Sequence, residues 1–188
     1  MVANLKPANK NNMKSRVHRA KPIRMPSKKT EAERALQARI SKMPSNSALV
    51  AMMMEPGIIQ QMNAVNAATC IFQMGKARDR FRERTLPESA GLAVALALQR
   101  IQELATEQPS DVQPRTVANM LYGLAIGQLH LLEGLQVLPC VEAILACNPR
   151  GFAEYNNVDI ANTAWALASL SAGREHECVP GVRRVVPP

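Results

Sequence analysis

Cations are the side chains of this chain whose spacing points most directly to chemistry. Lys76, Arg78, Arg80, Arg82 and Arg84 recur at every second position, interrupted by Asp79 and Glu83. On a helix, Lys76, Arg80 and Arg84 fall in one row at four-residue spacing. Such a row can hold phosphates. It can equally be a solvated face whose local ion pairs are each worth little, and the charge pattern alone favours that plainer reading. Arg115 falls in the first turn of an expected helix, where a cation opposes the helix dipole, and so hints at an external anion. Arg150, in an expected turn, is a similar candidate.

Nucleophiles and metal ligands are sparse. Cys70, Cys140, Cys147 and Cys178 form no C-x-x-C pair. Cys140 and Cys147, seven residues apart, share one helix face about two turns apart, too far to bridge. His18, His130 and His176 are scattered, and His176 with Cys178 gives two ligands where a zinc site needs more. Buried thiols in a reducing compartment are the expectation. There is no Gly-rich phosphate loop, no H-E-x-x-H, no Ser-His-Asp order and no obvious carboxylate pair. The reading is therefore a binding protein rather than an enzyme, with no cofactor, no metal and no small-molecule substrate.

The elements that must position these residues read as helices. Of 188 residues, 47% are hydrophobic and 3% aromatic. The apolar share is carried by Ala, Leu, Val and Met, which favours an all-α fold. Thr30-Glu31-Ala32-Glu33 has capping-box spacing and opens a helix that Pro44 stops. A short helix over 47–55 is apolar all round and should be buried. The segment 58–84 reads as helical with a break near Gly75. Thr85-Leu86-Pro87-Glu88 is a second capping box, launching a helix to about Glu107. Pro109-Ser110-Asp111 is a loop. Further helices are expected from Pro114 to about Leu129, from Pro139 to near Cys147, and from a cap at Asn157 to Gly173. No hairpin signal appears, and so no sheet is expected.

Charge divides the chain. Residues 1–46 hold twelve Lys and Arg against two acidic residues, while 47–188 hold eleven against thirteen. The net +8 therefore belongs to the N-terminal segment. Residues 1–29 contain no acidic residue and no sustained apolar period, so they read as a disordered basic tail. Three roles compete for this tail: an organelle transit peptide, a phosphate-binding arm, and an unspecific solvated tail, with the transit reading slightly ahead. The domain proper is expected over 30–175, followed by an irregular tail over 176–188. The longest apolar run, Leu92 to Leu98, is far below the ~20 residues of a membrane span, and no membrane partner is expected.

Three helices match one another. They read Ala67-Ala68-Thr69-Cys70-Ile71-Phe72, Val117-Ala118-Asn119-Met120-Leu121-Tyr122 and Ile160-Ala161-Asn162-Thr163-Ala164-Trp165. An aromatic residue holds the same place in each, at separations of 50 and 43 residues, and these three are half of all the aromatics. One helix lies between successive matches, near 87–107 and near 139–147. A helix pair at this period is the signature of an α-solenoid, here of about three helical-hairpin repeats. Small residues let the helices approach, and the large ones fill the gaps between layers. The aromatics are accordingly expected in the core. Asn119 and Asn162 are expected to be buried amides bonded to a neighbouring helix, with base-edge recognition as the lesser reading.

The segment Ala161-Asn162-Thr163-Ala164-Trp165-Ala166-Leu167-Ala168 resembles the repeat helix of octotricopeptide-repeat and RAP-domain proteins, and the resemblance covers about residues 62–173. It implies an α-solenoid that binds single-stranded or ribosomal RNA in a mitochondrion or plastid. The work implied is RNA processing, stabilisation, translation or ribosome assembly, and the candidate RNA contacts are then Lys76, Arg78, Arg80, Arg82, Arg84, Arg115 and Arg150. The competing expectation is a helical scaffold that joins a protein or ribonucleoprotein assembly without RNA readout of its own, and cytoplasm or nucleus is the alternative location. The apolar Met52-Met53-Met54 segment and the near-neutral body support that alternative.

Overall fold

The structure, a computed structural model, describes residues 30–81, 86–147 and 151–175. Among the described residues the fold is all-helical, with no strand: α1 (Glu31–Ser41), α2 (Asn46–Met53), α3 (Ile58–Gln61), α4 (Ala64–Phe81), α5 (Ala90–Glu107), α6 (Pro114–Ile126), α7 (Val137–Ala146) and α8 (Asn157–Glu175). Short 3-10 turns at Pro109–Asp111, Leu129–Leu131 and Gly151–Glu154 join them. The basic tail 1–29 and the segment 176–188, including His176 and Cys178, lie outside the described residues.

Helix starts follow local chemistry. The capping box at Thr30 forms in full: the Glu33 amide donates to Thr30 Oγ1 at 3.2 Å, and the Thr30 amide donates to a Glu33 carboxylate oxygen at 2.6 Å. Ser45 caps α2 by accepting from the Ala48 amide at 3.1 Å. The core contains Leu49, Val50, Met52 and Met53 of α2, as its apolar composition requires.

Several boundaries differ from the sequence reading. No break occurs at Gly75, because α4 runs through it. The break falls earlier, at Met62 and Asn63. Asn63 caps α4 reciprocally with Asn66: the Asn66 amide donates to Asn63 Oδ1 at 2.9 Å, and the Asn63 amide donates to Asn66 Oδ1 at 3.3 Å. The Met62 carbonyl freed at the break accepts from Arg100 Nε at 3.1 Å. Helix α5 starts at Ala90 rather than in a box at Thr85, which lies outside the described residues. Helix α6 stops at Ile126, because Gln128 takes a left-handed φ of 49°. Helix α7 starts at Val137, with Pro139 within its first turn, where a missing N–H costs nothing. The cap of α8 is Asn156, whose Oδ1 accepts from the Asp159 amide at 2.9 Å. That helix runs past Gly173 to Glu175.

Packing sorts the helices into two rows. In one, α1 packs on α4, α4 on α6 and α6 on α8; in the other, α5 packs on α7. Helix α5 also packs on α4 and joins the rows, burying Ala93, Val94, Ala97, Leu98 and Ile101. The α4–α6 contact is backbone against backbone. A Cβ built on Gly123 would lie 2.6 Å from the Cα of Phe72 and 2.8 Å from the carbonyl oxygen of Ile71. Gly75 meets the backbone of Gly123 in the same crossing. Glycine is required at these positions for space, not for turning the chain.

A candidate nucleic-acid interface

The close crossing of α4 and α6 brings the matching aromatics side by side. Phe72 and Tyr122 have ring centroids 6.2 Å apart at 38°, and Tyr122 and Trp165 are 5.4 Å apart at 44°. Both spacings fall in the range of favourable aromatic pairs. One ladder of rings thus crosses three helices, with Tyr122 in the middle.

The ladder is not core, and this corrects the sequence expectation. Phe72 and Tyr122 are half-buried, and Trp165 is 47% exposed. The reason is geometric. Tyr122 has a ring on either side, Phe72 and Trp165 stand at the two ends of the ladder, and no described helix follows α8 in the row. Lys76 reaches back over Phe72, its Nζ 5.3 Å from the ring centroid, in a cation–π contact at one end of the ladder.

Helical spacing puts a polar row beside the rings. Thr69, Asn119 and Asn162 each precede an aromatic by three residues and so share its face. Thr69 is committed: its hydroxyl donates to the Val65 carbonyl at 2.6 Å and accepts from Gln37 Nε2 at 3.3 Å. Gln37 in turn accepts from Asn66 Nδ2 at 2.7 Å, which ties α1 to α4. Asn119 and Asn162 differ. Both are half-buried, and neither side-chain amide forms a hydrogen bond with a described residue. The expected bond to a neighbouring helix is therefore absent among the described residues, and two amides stand uncommitted beside the ladder. Arg115, exposed in the first turn of α6, precedes Tyr122 by two turns on the same face.

The predicted cations divide accordingly. Lys76 touches the ladder at Phe72, and Arg115 lies two turns before Tyr122 on α6. Arg78 and Arg80 fall within α4, beyond Lys76. Arg82, Arg84 and Arg150 lie outside the described residues. Sequence reasoning weighed base stacking by Phe72, Tyr122 and Trp165 and preferred core packing. Their matching positions were the available signal, but an apolar period does not reveal which apolar residues a neighbour covers.

Other chemistry is sparse among the described residues. No group of three His, Cys, Asp or Glu side chains could hold a metal ion, and no helix is long and apolar enough to cross a membrane. Cys70 is buried, and that burial pushes its thiol up to about 12. Cys140 and Cys147 are free and half-buried, so among the described cysteines Cys70 alone has the buried character expected of the thiols. A cavity of about 320 Å³ beside Leu170 is lined by the loop from His130 to Pro139 and assembles no reactive pair.

No family model, no curated protein and no solved structure matches this chain.

Proposed function

We propose that this chain is an RNA-binding helical-repeat protein, an α-solenoid of about three helical hairpins of the octotricopeptide kind. The aromatic ladder Phe72–Tyr122–Trp165 carries the reading. Aromatic faces at a protein surface stack on bases whatever their sequence, and each stacked base contributes about 1–3 kcal/mol. Uncommitted amides beside such rings offer one acceptor and two donors each to base edges. Arg115 and Lys76 supply cations at the margins, and Arg78 and Arg80 continue the basic run along α4. The packing order α1–α4–α6–α8 beside α5–α7 supports the solenoid reading, since each helix of the first row contacts its row neighbours.

The role is binding, not catalysis. It belongs to RNA processing, stability, translation or ribosome assembly in a mitochondrion or plastid, with the basic tail as targeting segment. Fluorescence anisotropy of the full chain with single-stranded RNA at low and high salt tests the binding. Affinity that falls as salt rises supports it. No binding at low salt ends it.

A second reading, a scaffold inside a protein or ribonucleoprotein assembly, is favoured by α8. Between Asn157 and Ala172 its one charged residue, Asp159, is buried, so the helix shows solvent no charge over that span. Co-purification of protein partners that survives nuclease treatment would select this reading over the first.

A further inference from the structure

The three rings of the ladder do not stand in equivalent company. A long side chain on a helix leans toward the helix N-terminus and lies over the preceding turn. Phe72, Tyr122 and Trp165 therefore lie back over Thr69, Asn119 and Asn162. The residue four places further on lies back toward each ring in turn. On α4 that residue is Lys76, whose Nζ stands 5.3 Å from the Phe72 centroid. On α6 it is the apolar Ile126, and on α8 it is Ser169, whose hydroxyl donates to the Trp165 carbonyl at 2.9 Å.

The polar neighbours differ in the same order. The Thr69 hydroxyl gives its one proton to the Val65 carbonyl and accepts from Gln37. Phe72 thus has a cation over its ring and no free donor beneath it. Asn119 and Asn162 are half-buried and have no bonded partner among the described residues. Each keeps one acceptor and two donors open beside a ring. Among the side chains three or four residues from Tyr122 and Trp165, these two amides are the polar groups without a partner.

What such an amide selects follows from its own shape. It presents acceptor and donor side by side, and so matches a base edge that sets a donor beside an acceptor. Adenine shows that pair on its Hoogsteen edge, the N6 amino group beside N7, and again on its Watson–Crick edge, beside N1. Guanine has two acceptors on its Hoogsteen edge, and the pyrimidines offer the pair on the Watson–Crick edge alone. The 5.4 Å between the Tyr122 and Trp165 centroids lies within the reach of one nucleotide step of an extended strand, so successive bases meet successive rings.

We propose, on the reading that the ladder binds RNA, that α6 and α8 select two adjacent adenines, one at Tyr122 with Asn119 and one at Trp165 with Asn162. The selection stops at Phe72, where Lys76 stands over the ring and is placed to meet a backbone phosphate instead.

Anisotropy titrations of the nuclease-treated full chain at low salt test this with labelled oligouridylate and with the same strand carrying A, AA or AAA at its centre. Affinity is expected to rise about tenfold with the first A and again with the second, and the third adds no comparable step. Asn119→Ala and Asn162→Ala should each remove one step from the ratio of the AA strand to oligouridylate while keeping the helical circular-dichroism spectrum. Salt-sensitive binding with equal affinity for every strand overturns the base selection and leaves the RNA reading standing. A third step as large as the first two, or a ratio that neither substitution moves, overturns it as well. No binding of any strand at low salt overturns both.

Discussion

Gly123 on α6 lies against the backbone of Phe72 on α4, where a Cβ would stand 2.6 Å from the Phe72 Cα. Real Cβ atoms do not come so near, and no side chain can move aside, because the obstacle is main chain. That contact sets the distance at which Phe72 and Tyr122 meet, so the ladder depends on it.

Replacing Gly123 by Ala should therefore destabilise the fold. Alanine gains up to about 1 kcal/mol in helix propensity, while overpacking a filled contact costs about 1–3 kcal/mol. With the obstacle in the backbone, a net loss of about 1–2 kcal/mol is expected. Urea denaturation of Gly123→Ala measures it, and a variant as stable as wild type would show that the helices part freely.

Trp165→Ala and Tyr122→Ala should weaken binding of single-stranded RNA. The expected loss is about 1–3 kcal/mol per stacked base. Trp165 is the cleaner test, since its exposure makes truncation mild for the fold. Unchanged anisotropy titrations for Trp165→Ala would remove the ladder from the binding site.

Asn119→Ala separates recognition from stability. The amide has no described hydrogen-bond partner, so its removal should shift stability by no more than about 0.5 kcal/mol. Affinity for RNA should fall. A large drop in melting temperature with intact binding would return Asn119 to a structural role.

Glu33 links acid stability to the capping box. Burial alone would raise its carboxyl pKa, but hydrogen bonds from the Thr30 backbone and side chain and from the Asn63 side chain hold it below the ordinary value. A depressed carboxyl pKa contributes stability above the unfolded value of roughly 4.3, and that contribution is lost as pH falls through the lower folded value. Glu33→Gln should thus be less stable than wild type at neutral pH, with the gap closing in acid. Thermal melts at both pH values check this, and a gap independent of pH would contradict it.

The thiol of Cys70 should resist alkylation at neutral pH, because burial pushes its pKa up to about 12 and excludes reagent. Cys140 and Cys147, half-buried, should be labelled first. The sign for stability is the reverse of that for Glu33. The contribution of Cys70 is fully present below the unfolded thiol pKa of roughly 8.5 and is lost as pH rises from there toward about 12. Mass-spectrometric peptide mapping after timed alkylation reads the order directly.

The sequence by itself determined the helical class, the cap at Thr30, the start at Pro114 and the match among three helices. Each is written in neighbouring residues: a hydroxyl or carboxylate at a fixed offset, a proline, an apolar period. Tertiary structure decided what each position does. Gly75 reads locally as a place for a break, because glycine loosens a helix, and only the backbone of Gly123 against it shows a contact site. The aromatics read as core, because periodicity tells which face is apolar and not whether a neighbour covers it. Whether Trp165 lies buried or open depends on what stands beside α8, and no stretch of the chain around Trp165 encodes that.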